Sequence, residues 1–79
     1  MPTYYFHFSD GRERRLDPEG TRLPDEEAVW YHAVRSARDM IGAELVGEPI
    51  VPGSRFEIED EEGVPVLALP IEEVALIAT

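Results

Sequence analysis

The sequence predicts a two-layer α+β domain in which one main helix lies across a four-stranded, mostly antiparallel sheet. Three observations support this fold class. The chain has 79 residues, which is enough for one small hydrophobic core and predicts a single domain over residues 1–79. Short β-rich segments stand on both sides of one amphipathic helical segment. Within each pair of β-rich segments, a short polar turn sequence containing glycine separates the two.

The first pair of strands is predicted by an aromatic run followed by a turn. Residues 3–8 are mostly aromatic and predict the first strand. Asp10-Gly11 predicts a tight turn, because glycine adopts a positive φ without steric penalty. A short polar strand over residues 13–16 would return from it. Residues 17–20 then predict a type I turn, with proline at its second position and glycine at its fourth.

The main helix is predicted over residues 25–46. Asp25 is a favourable N-cap, and two glutamates follow it in the first turn, where they interact well with the helix dipole. Gly47 and Pro49 predict the end of the helix. Apolar residues recur at helical spacing along one side: Val29 or Trp30, Ala33, Ala37, Ile41 and Leu45.

The second hairpin is predicted from residue 55 to residue 69. Residues 55–59 alternate, with Phe56 and Ile58 pointing inward and charged residues outward. A turn over residues 60–63 leads to a partner strand over residues 64–69 that is apolar on both faces. The tail after Pro70 predicts a short C-terminal helix or strand, and its Pro-Ile-Glu-Glu start favours the helix. The predicted order is ββαββ plus this tail.

One helix covers only one face of such a sheet, so the second face must be solvated, paired or bound. Tyr4, Phe6 and Phe8 alternate toward the helix, which places their neighbours on the opposite face. An apolar patch on a small domain is typical of an interface, unless the tail folds back and covers it. The interface candidates on this second face are Tyr5, His7, Val66 and Ala68.

Composition excludes several classes of function. Seventeen acidic residues face seven basic ones, all arginine, and the net charge of −10 disfavours nucleic-acid binding. The absence of cysteine excludes disulfides, thiolate zinc sites and a cysteine nucleophile, and it favours a reducing cytoplasm. No signal peptide is expected from the first residues. The longest mostly apolar stretch, residues 64–71, is too short to cross a membrane.

No pattern in the chain predicts catalysis. His7 and His32, the two histidines, have no metal-ligand spacing, and His32 is expected on the polar flank of the helix. No serine has a nucleophile context, and no glycine-rich loop could cradle a phosphate. Residues 57–62 are acidic but lack the spacing of a calcium loop. We therefore expect no enzyme activity, no cofactor and no metal.

Four arginines surround the first hairpin, at positions 12, 14, 15 and 22. They could bind an anion or an acidic partner. They could equally face the acidic second hairpin, in the same molecule or in a neighbour. The second interpretation is favoured, because it relieves the self-repulsion of a strongly acidic chain.

Several short motifs are spread over nearly the whole chain: Tyr4-Tyr5-Phe6-His7-Phe8, Asp10-Gly11, Gly20, Leu23-Pro24-Asp25, Ser36-Ala37-Arg38, Asp60-Glu61-Glu62-Gly63 and Leu67-Ala68-Leu69-Pro70. With these motifs the chain resembles a family of uncharacterised short proteins found mainly in alphaproteobacteria. The resemblance implies no activity, because the family has no established function.

These observations favour a small soluble protein-interaction module that forms a homodimer or binds another protein, with neither nucleic acid nor membrane as a partner. The alternative is an acidic regulator, such as an antitoxin-like or nucleic-acid-mimic inhibitor of a basic protein. A small enzyme is a third hypothesis, and it would need a pocket around His7.

We predict no measurable binding to duplex DNA or RNA at physiological salt, because most of this acidic surface repels a phosphate backbone. A gel-shift assay at micromolar protein checks this. A shift that weakens with added salt would contradict the prediction and would identify the arginine-rich hairpin at residues 12–22 as the contact.

Overall fold

A computed structural model describes residues 1–44, 47 and 50–77, and it confirms the α+β fold class. Five antiparallel strands form one open sheet, and a long and a short helix pack on one of its faces. The elements in chain order are β1 (Thr3–Ser9), β2 (Arg14–Arg15), β3 (Thr21–Arg22), α1 (Glu26–Glu44), β4 (Arg55–Glu59), β5 (Pro65–Pro70) and α2 (Ile71–Ile77).

The strand β1 lies at the centre of the sheet. On one side it pairs with β4, where Phe6 stands opposite Ile58 and Phe8 opposite Phe56. The strand β5 pairs with the far side of β4. On its other side β1 pairs with both short strands: β2 lies against its C-terminal end and β3 against its N-terminal end.

The strand β3 is an element that the four-strand prediction lacked. Thr21 pairs with Tyr4, and Arg22 pairs with Thr3. Leu23 extends this contact by donating its backbone N–H to the carbonyl oxygen of Pro2 at 3.1 Å. Two residues are too few to show an alternating pattern, so only the pairing with β1 reveals this strand.

The helix α1 begins as predicted. The carboxylate of Asp25 accepts the backbone N–H of Ala28 at 2.9 Å, which is the bond expected of an N-cap. Val29 and Ala37 are fully buried, whereas Trp30 is exposed, so Val29 is the residue that points toward the sheet. The predicted end of the helix at residues 45 and 46 lies outside the described residues.

The tail forms a helix, as the sequence favoured, and α2 packs beside α1. Ile71 and Val74 are fully buried in the same core as Ala33. The backbone N–H of Ile71 donates to the carbonyl oxygen of Ser54 at 3.0 Å and fixes the start of the helix. The described part of the tail therefore adds to the helix layer and does not cover the second face of the sheet.

The core lies between the sheet and the two helices, and the predicted face assignment is confirmed. Tyr4, Phe56 and Ile58 are buried, and Phe6 and Phe8 are half-buried against the core. The rings of Phe8 and Phe56 meet edge to face with centroids 5.6 Å apart.

His32 corrects one expectation about the helix. Its ring centroid lies 4.7 Å from that of Phe6, and the side chain is half-buried instead of lying on a polar flank. The reason is the position of His32 next to Ala33, whose small side chain lets the helix approach the aromatic strand β1 closely. His32 is therefore part of the packing between α1 and the sheet.

Neither described helix is long and apolar enough to span a bilayer.

Replacing Phe56 by alanine should lower the free energy of unfolding by about 3–5 kcal/mol, because it leaves a cavity between β4 and α1. Urea denaturation measures the change. Leu16→Ala is the control: Leu16 is 64 % exposed, so its truncation should change stability by less than about 0.5 kcal/mol. Equal effects of the two substitutions would contradict the face assignment.

Candidate interaction surface on the open face of the sheet

The face of the sheet turned away from the helices is the candidate functional surface, and we call it the open face. Strand alternation and pairing define its members. The strands β1 and β4 contribute most of them, Arg14 reaches over from β2, and β5 forms the far side. The residues on the open face are Tyr5, His7, Ser9, Arg14, Arg55, Glu57, Glu59, Val66 and Ala68.

The loop of residues 16–20 lies over the β1 part of the open face. Asp17 donates its backbone N–H to Nδ1 of His7 at 3.0 Å. Gly20 packs directly on β1: a Cβ added there would lie 2.6 Å from Cγ2 of Thr3 and 3.0 Å from Cε1 of Tyr5. Its φ of +74° also favours glycine. The loop therefore covers Tyr5 and His7 with the chain's own backbone.

The Asp17 side chain closes the outer edge of β1. The strands β2 and β3 pair with the two ends of β1, and between them the backbone N–H of Phe6 donates to Oδ2 of Asp17 at 3.1 Å. The other oxygen, Oδ1, accepts the N–H groups of Glu19 at 3.2 Å and Gly20 at 3.1 Å. One carboxylate thus satisfies three backbone donors, including the one that would otherwise face an empty strand position.

These bonds decide the ionisation of Asp17. Partial burial by itself would raise the pKa of its carboxyl group, because it disfavours the charged form. The N–H groups of Gly20, Phe6 and Glu19 outweigh that effect and hold the pKa below its ordinary value of 3.8. Asp17 is therefore charged in the folded protein at neutral pH.

The geometry around His7 selects one form of its ring. Nδ1 accepts a backbone N–H, so the proton of the neutral ring lies on Nε2. Nε2 then donates to Oε1 of Glu59 at 3.0 Å. His7 is only 7 % exposed, and the Tyr5 ring lies nearly parallel to it with centroids 6.4 Å apart. His7 connects β4 to the loop of residues 16–20, which is a structural role.

Arg14 crosses the open face and contacts two carboxylates of β4. Its Nε lies 2.7 Å from Oε1 of Glu57, and a terminal nitrogen lies 3.2 Å from Oε2 of Glu59. Arg55 approaches Glu57 from the other side at 3.0 Å. The hydrogen bond from Arg14 is the main reason why the pKa of Glu57 lies below its ordinary value, and the same bond raises the pKa of Arg14.

The preferred interpretation of the arginine-rich hairpin holds for Arg14, which faces the acidic hairpin within the same molecule. The remaining three, Arg12, Arg15 and Arg22, form no ion pair with the residues that the structure describes. The intramolecular neutralisation is therefore concentrated on the open face, where two arginines meet two glutamates.

A groove of about 520 Å³ remains on the open face between Arg14 and β5. Val66 is half-buried and Ala68 is exposed in it, and Pro65 lines it at the start of β5. The four sequence-predicted interface residues thus separate into two pairs. Val66 and Ala68 line the accessible groove, whereas Tyr5 and His7 lie under the loop of residues 16–20.

The acidic tip of the second hairpin is mostly engaged within the chain. The Asp60 carboxylate accepts the N–H groups of Glu62 and Val64, both at 2.9 Å. The Glu61 carboxylate accepts the N–H of Thr3 at 2.7 Å. Across the residues that the structure describes, no three histidine, aspartate or glutamate side chains are arranged to hold a metal ion.

Sequence reasoning missed Asp17 and Arg14 as organisers of this face. The turn over residues 17–20 was predicted, but the direction of its carboxylate was not. A signal was present: an aspartate before Pro-x-Gly often bonds the backbone two or three residues later. The second target of the Asp17 carboxylate, the N–H of Phe6, follows only from the placement of the loop beside β1.

Asp17→Asn should lower the free energy of unfolding by about 1–3 kcal/mol at neutral pH, because it weakens three charge-assisted hydrogen bonds. The pKa of Asp17 is lower in the folded than in the unfolded chain, so this contribution is present above 3.8 and is lost as the pH falls through the folded value. Urea denaturation of both chains at neutral pH and at about pH 3 should show that the difference in unfolding free energy between wild type and Asp17→Asn is smaller in acid.

Glu19→Gln is the matched control, because it removes a charge from the same loop without removing an acceptor of these bonds. It should unfold like the wild type at both pH values. If the difference in unfolding free energy between Asp17→Asn and wild type did not depend on pH, this would contradict the role of the charged carboxylate.

Comparison with known proteins gives a family for this chain. A family model described as a domain of unknown function (DUF6894) matches residues 3–72, which includes every strand of the sheet, all of α1 and the start of α2. No curated protein and no solved structure matches the chain significantly. The chain therefore belongs to the family of the domain of unknown function DUF6894.

Proposed function

We propose that this protein is a small interaction module that forms a symmetric homodimer through its open face, centred on Val66 and Ala68. The observation that carries the proposal is the charge balance of that face. Arg14 and Arg55 together neutralise Glu57 and Glu59, although the chain as a whole carries −10.

Charge balance matters because two copies of an acidic chain repel each other. Repulsion is least where the local charge is close to zero, and the open face meets that condition. A two-fold contact also needs a surface that is complementary to itself. A face with both arginine and glutamate can provide this, since rotation about a two-fold axis can bring the arginines of one copy to the glutamates of the other.

The apolar groove supplies the second requirement of an interface. Pro65, Val66 and Ala68 present carbon atoms beside the charged rows, so desolvation there favours association. The strand β5 is also the last strand of the sheet, and an edge strand has free backbone groups that can pair with another chain. Tyr5 and His7 support the interface indirectly. His7 bonds to Glu59 and to the loop of residues 16–20, and Tyr5 packs against Gly20 of the same loop.

The alternative, an acidic regulator that imitates a nucleic acid, has less support. A mimic needs carboxylates that are free to meet a basic protein. Between residues 57 and 62, four of the five acidic side chains form hydrogen bonds within the chain. Three of these carboxylates bond to residues of β1 and β2 and hold the hairpin against them, and the fourth, Asp60, stabilises the hairpin turn.

The wider setting of the module is part of the same proposal. We place it in the cytoplasm of a bacterium, of the alphaproteobacterial group that the sequence resembles, because a chain without cysteine needs no oxidising compartment. It acts without a cofactor and without catalysis. Its partner is a second copy or another protein, and neither nucleic acid nor a membrane is a partner.

Ala68→Arg tests the homodimer. Ala68 is exposed, so the substitution should leave the folded monomer intact, whereas a bulky charge in the centre of the contact should separate the copies. Sedimentation velocity at high micromolar concentration should show about twice the 8.9 kDa chain mass for wild type and the monomer mass for the variant.

Val51→Arg is the matched control, because Val51 is 46 % exposed and lies outside the groove, near Phe8 and Met40 on the helix side. It should sediment like the wild type. A wild-type chain that stays monomeric at high micromolar concentration, or an Ala68→Arg dimer, would overturn the proposal.

A further inference from the structure

We propose that the outer side of α1 carries a second binding surface, made by Trp30, Tyr31, Arg35 and Arg38, that takes a short acidic peptide segment of a partner protein. This helix surface faces away from the sheet and shares no residue with the open face. It is therefore independent of the proposed homodimer.

Two aromatic side chains form the apolar part of the helix surface. Trp30 is 36 % exposed and Tyr31 is 60 % exposed, and their rings meet edge to face with centroids 5.2 Å apart. Burying an aromatic ring away from water is favourable, and the buried core side chains of α1 are Val29, Ala33, Val34 and Ala37. Trp30 and Tyr31 thus contact each other edge to face on the outside of the helix instead of filling the core.

Two arginines complete the helix surface one to two turns further along. Arg35 follows Tyr31 by four residues and lies next to it on the helix. Arg38 follows Val34 by four and lines the far end of the same shallow groove. Among the side chains that the structure describes, neither arginine forms an ion pair, although Asp39 lines the same groove. Within the described part of the chain, two arginines thus lie beside exposed aromatic residues without an ion pair.

Charge complementarity identifies the occupant as acidic. Guanidinium groups bind carboxylates in a planar, bidentate geometry, and arginine with tryptophan and tyrosine are the residues that contribute most energy at protein interfaces. A fitting ligand therefore carries carboxylates for Arg35 and Arg38 and an apolar side chain for Trp30 and Tyr31.

The size of the helix surface fits a short segment better than a second folded copy. Two aromatic rings and two arginine stems bury roughly 500 Å² at most, whereas a stable complex buries about 800 Å² per partner. A second copy would also bring its whole charge of −10 toward this one. A short acidic segment on the helix surface interacts with the charges within a Debye length of about 8 Å, where Arg35 and Arg38 outnumber Asp39.

The same argument disfavours extended polyanions. A duplex or an anionic membrane presents charge across the whole width of the protein, which measures 36 by 27 Å in its two longest directions. Most of that area would meet the acidic residues of the chain and be repelled. A short peptide meets the helix surface alone.

Trp30 is the chain's single tryptophan, so its fluorescence reports on the helix surface directly. The experiment selects phage-displayed random short peptides on the wild-type chain, and the enriched peptides are then synthesised and titrated while the Trp30 emission is followed. We expect acidic sequences with an aromatic or aliphatic residue to be enriched, and to shift the emission to shorter wavelength on binding.

Charge reversal tests the arginines. The double variant Arg35→Glu, Arg38→Glu should weaken binding of these peptides at least roughly tenfold, because like charges then face each other. The matched control is Arg12→Glu, which makes the same kind of change at an exposed arginine on the β1–β2 turn and should leave the affinity within about twofold. Circular dichroism verifies that all chains fold.

The dimer variant Ala68→Arg should bind the peptides as the wild type does, so failure of the homodimer and failure of this proposal are distinguishable. Three results would overturn the peptide site. They are no acidic enrichment, equal binding by the double variant, and an emission shift with single-stranded oligonucleotide or with phosphatidylserine–phosphatidylcholine vesicles in place of the acidic peptides.

Discussion

The carboxylate of Asp17 is the contact on which the organisation of the sheet depends. It occupies the position of a missing strand residue between β2 and β3, where it accepts the N–H of Phe6. A single continuous strand could satisfy this edge only by running past the whole of β1. The chain instead uses two short strands and one charged side chain, and this lets the intervening loop turn over the open face.

The placement of that loop determines the chemistry of the open face. Its backbone N–H fixes the Nδ1 atom of His7 as an acceptor, so Nε2 must donate, and Glu59 is drawn toward it. Glu59 held in this way presents its second oxygen to Arg14, which also reaches Glu57. The loop of residues 16–20 between β2 and β3 is thus connected to the charge balance of β4 through four side chains, those of His7, Glu59, Arg14 and Glu57. The surface that we propose for self-association depends on this connection.

Most elements could be predicted from the sequence because their causes are local. The Asp25 N-cap, the alternation of Phe56 and Ile58 and the glycine turns each depend on a few neighbouring residues. The strand β3 and the roles of Asp17 and Arg14 could not be predicted, because each depends on a partner more than ten residues away. For the interface candidates, period-two alternation placed Tyr5 and His7 on the correct face, but it carries no information about a loop that lies over them.

The two proposed surfaces lie on opposite sides of the sheet, and this has a consequence for binding. A dimer formed through the open faces would leave the outer side of α1 uncovered in both copies. Each dimer would then offer two identical peptide sites. A partner with two acidic segments on a linker of suitable length would bind the second site at a raised effective concentration, so two weak contacts would act as one strong contact. By its area alone the helix surface supports only weak binding. The dimer would thereby make it selective for partners that carry two acidic segments.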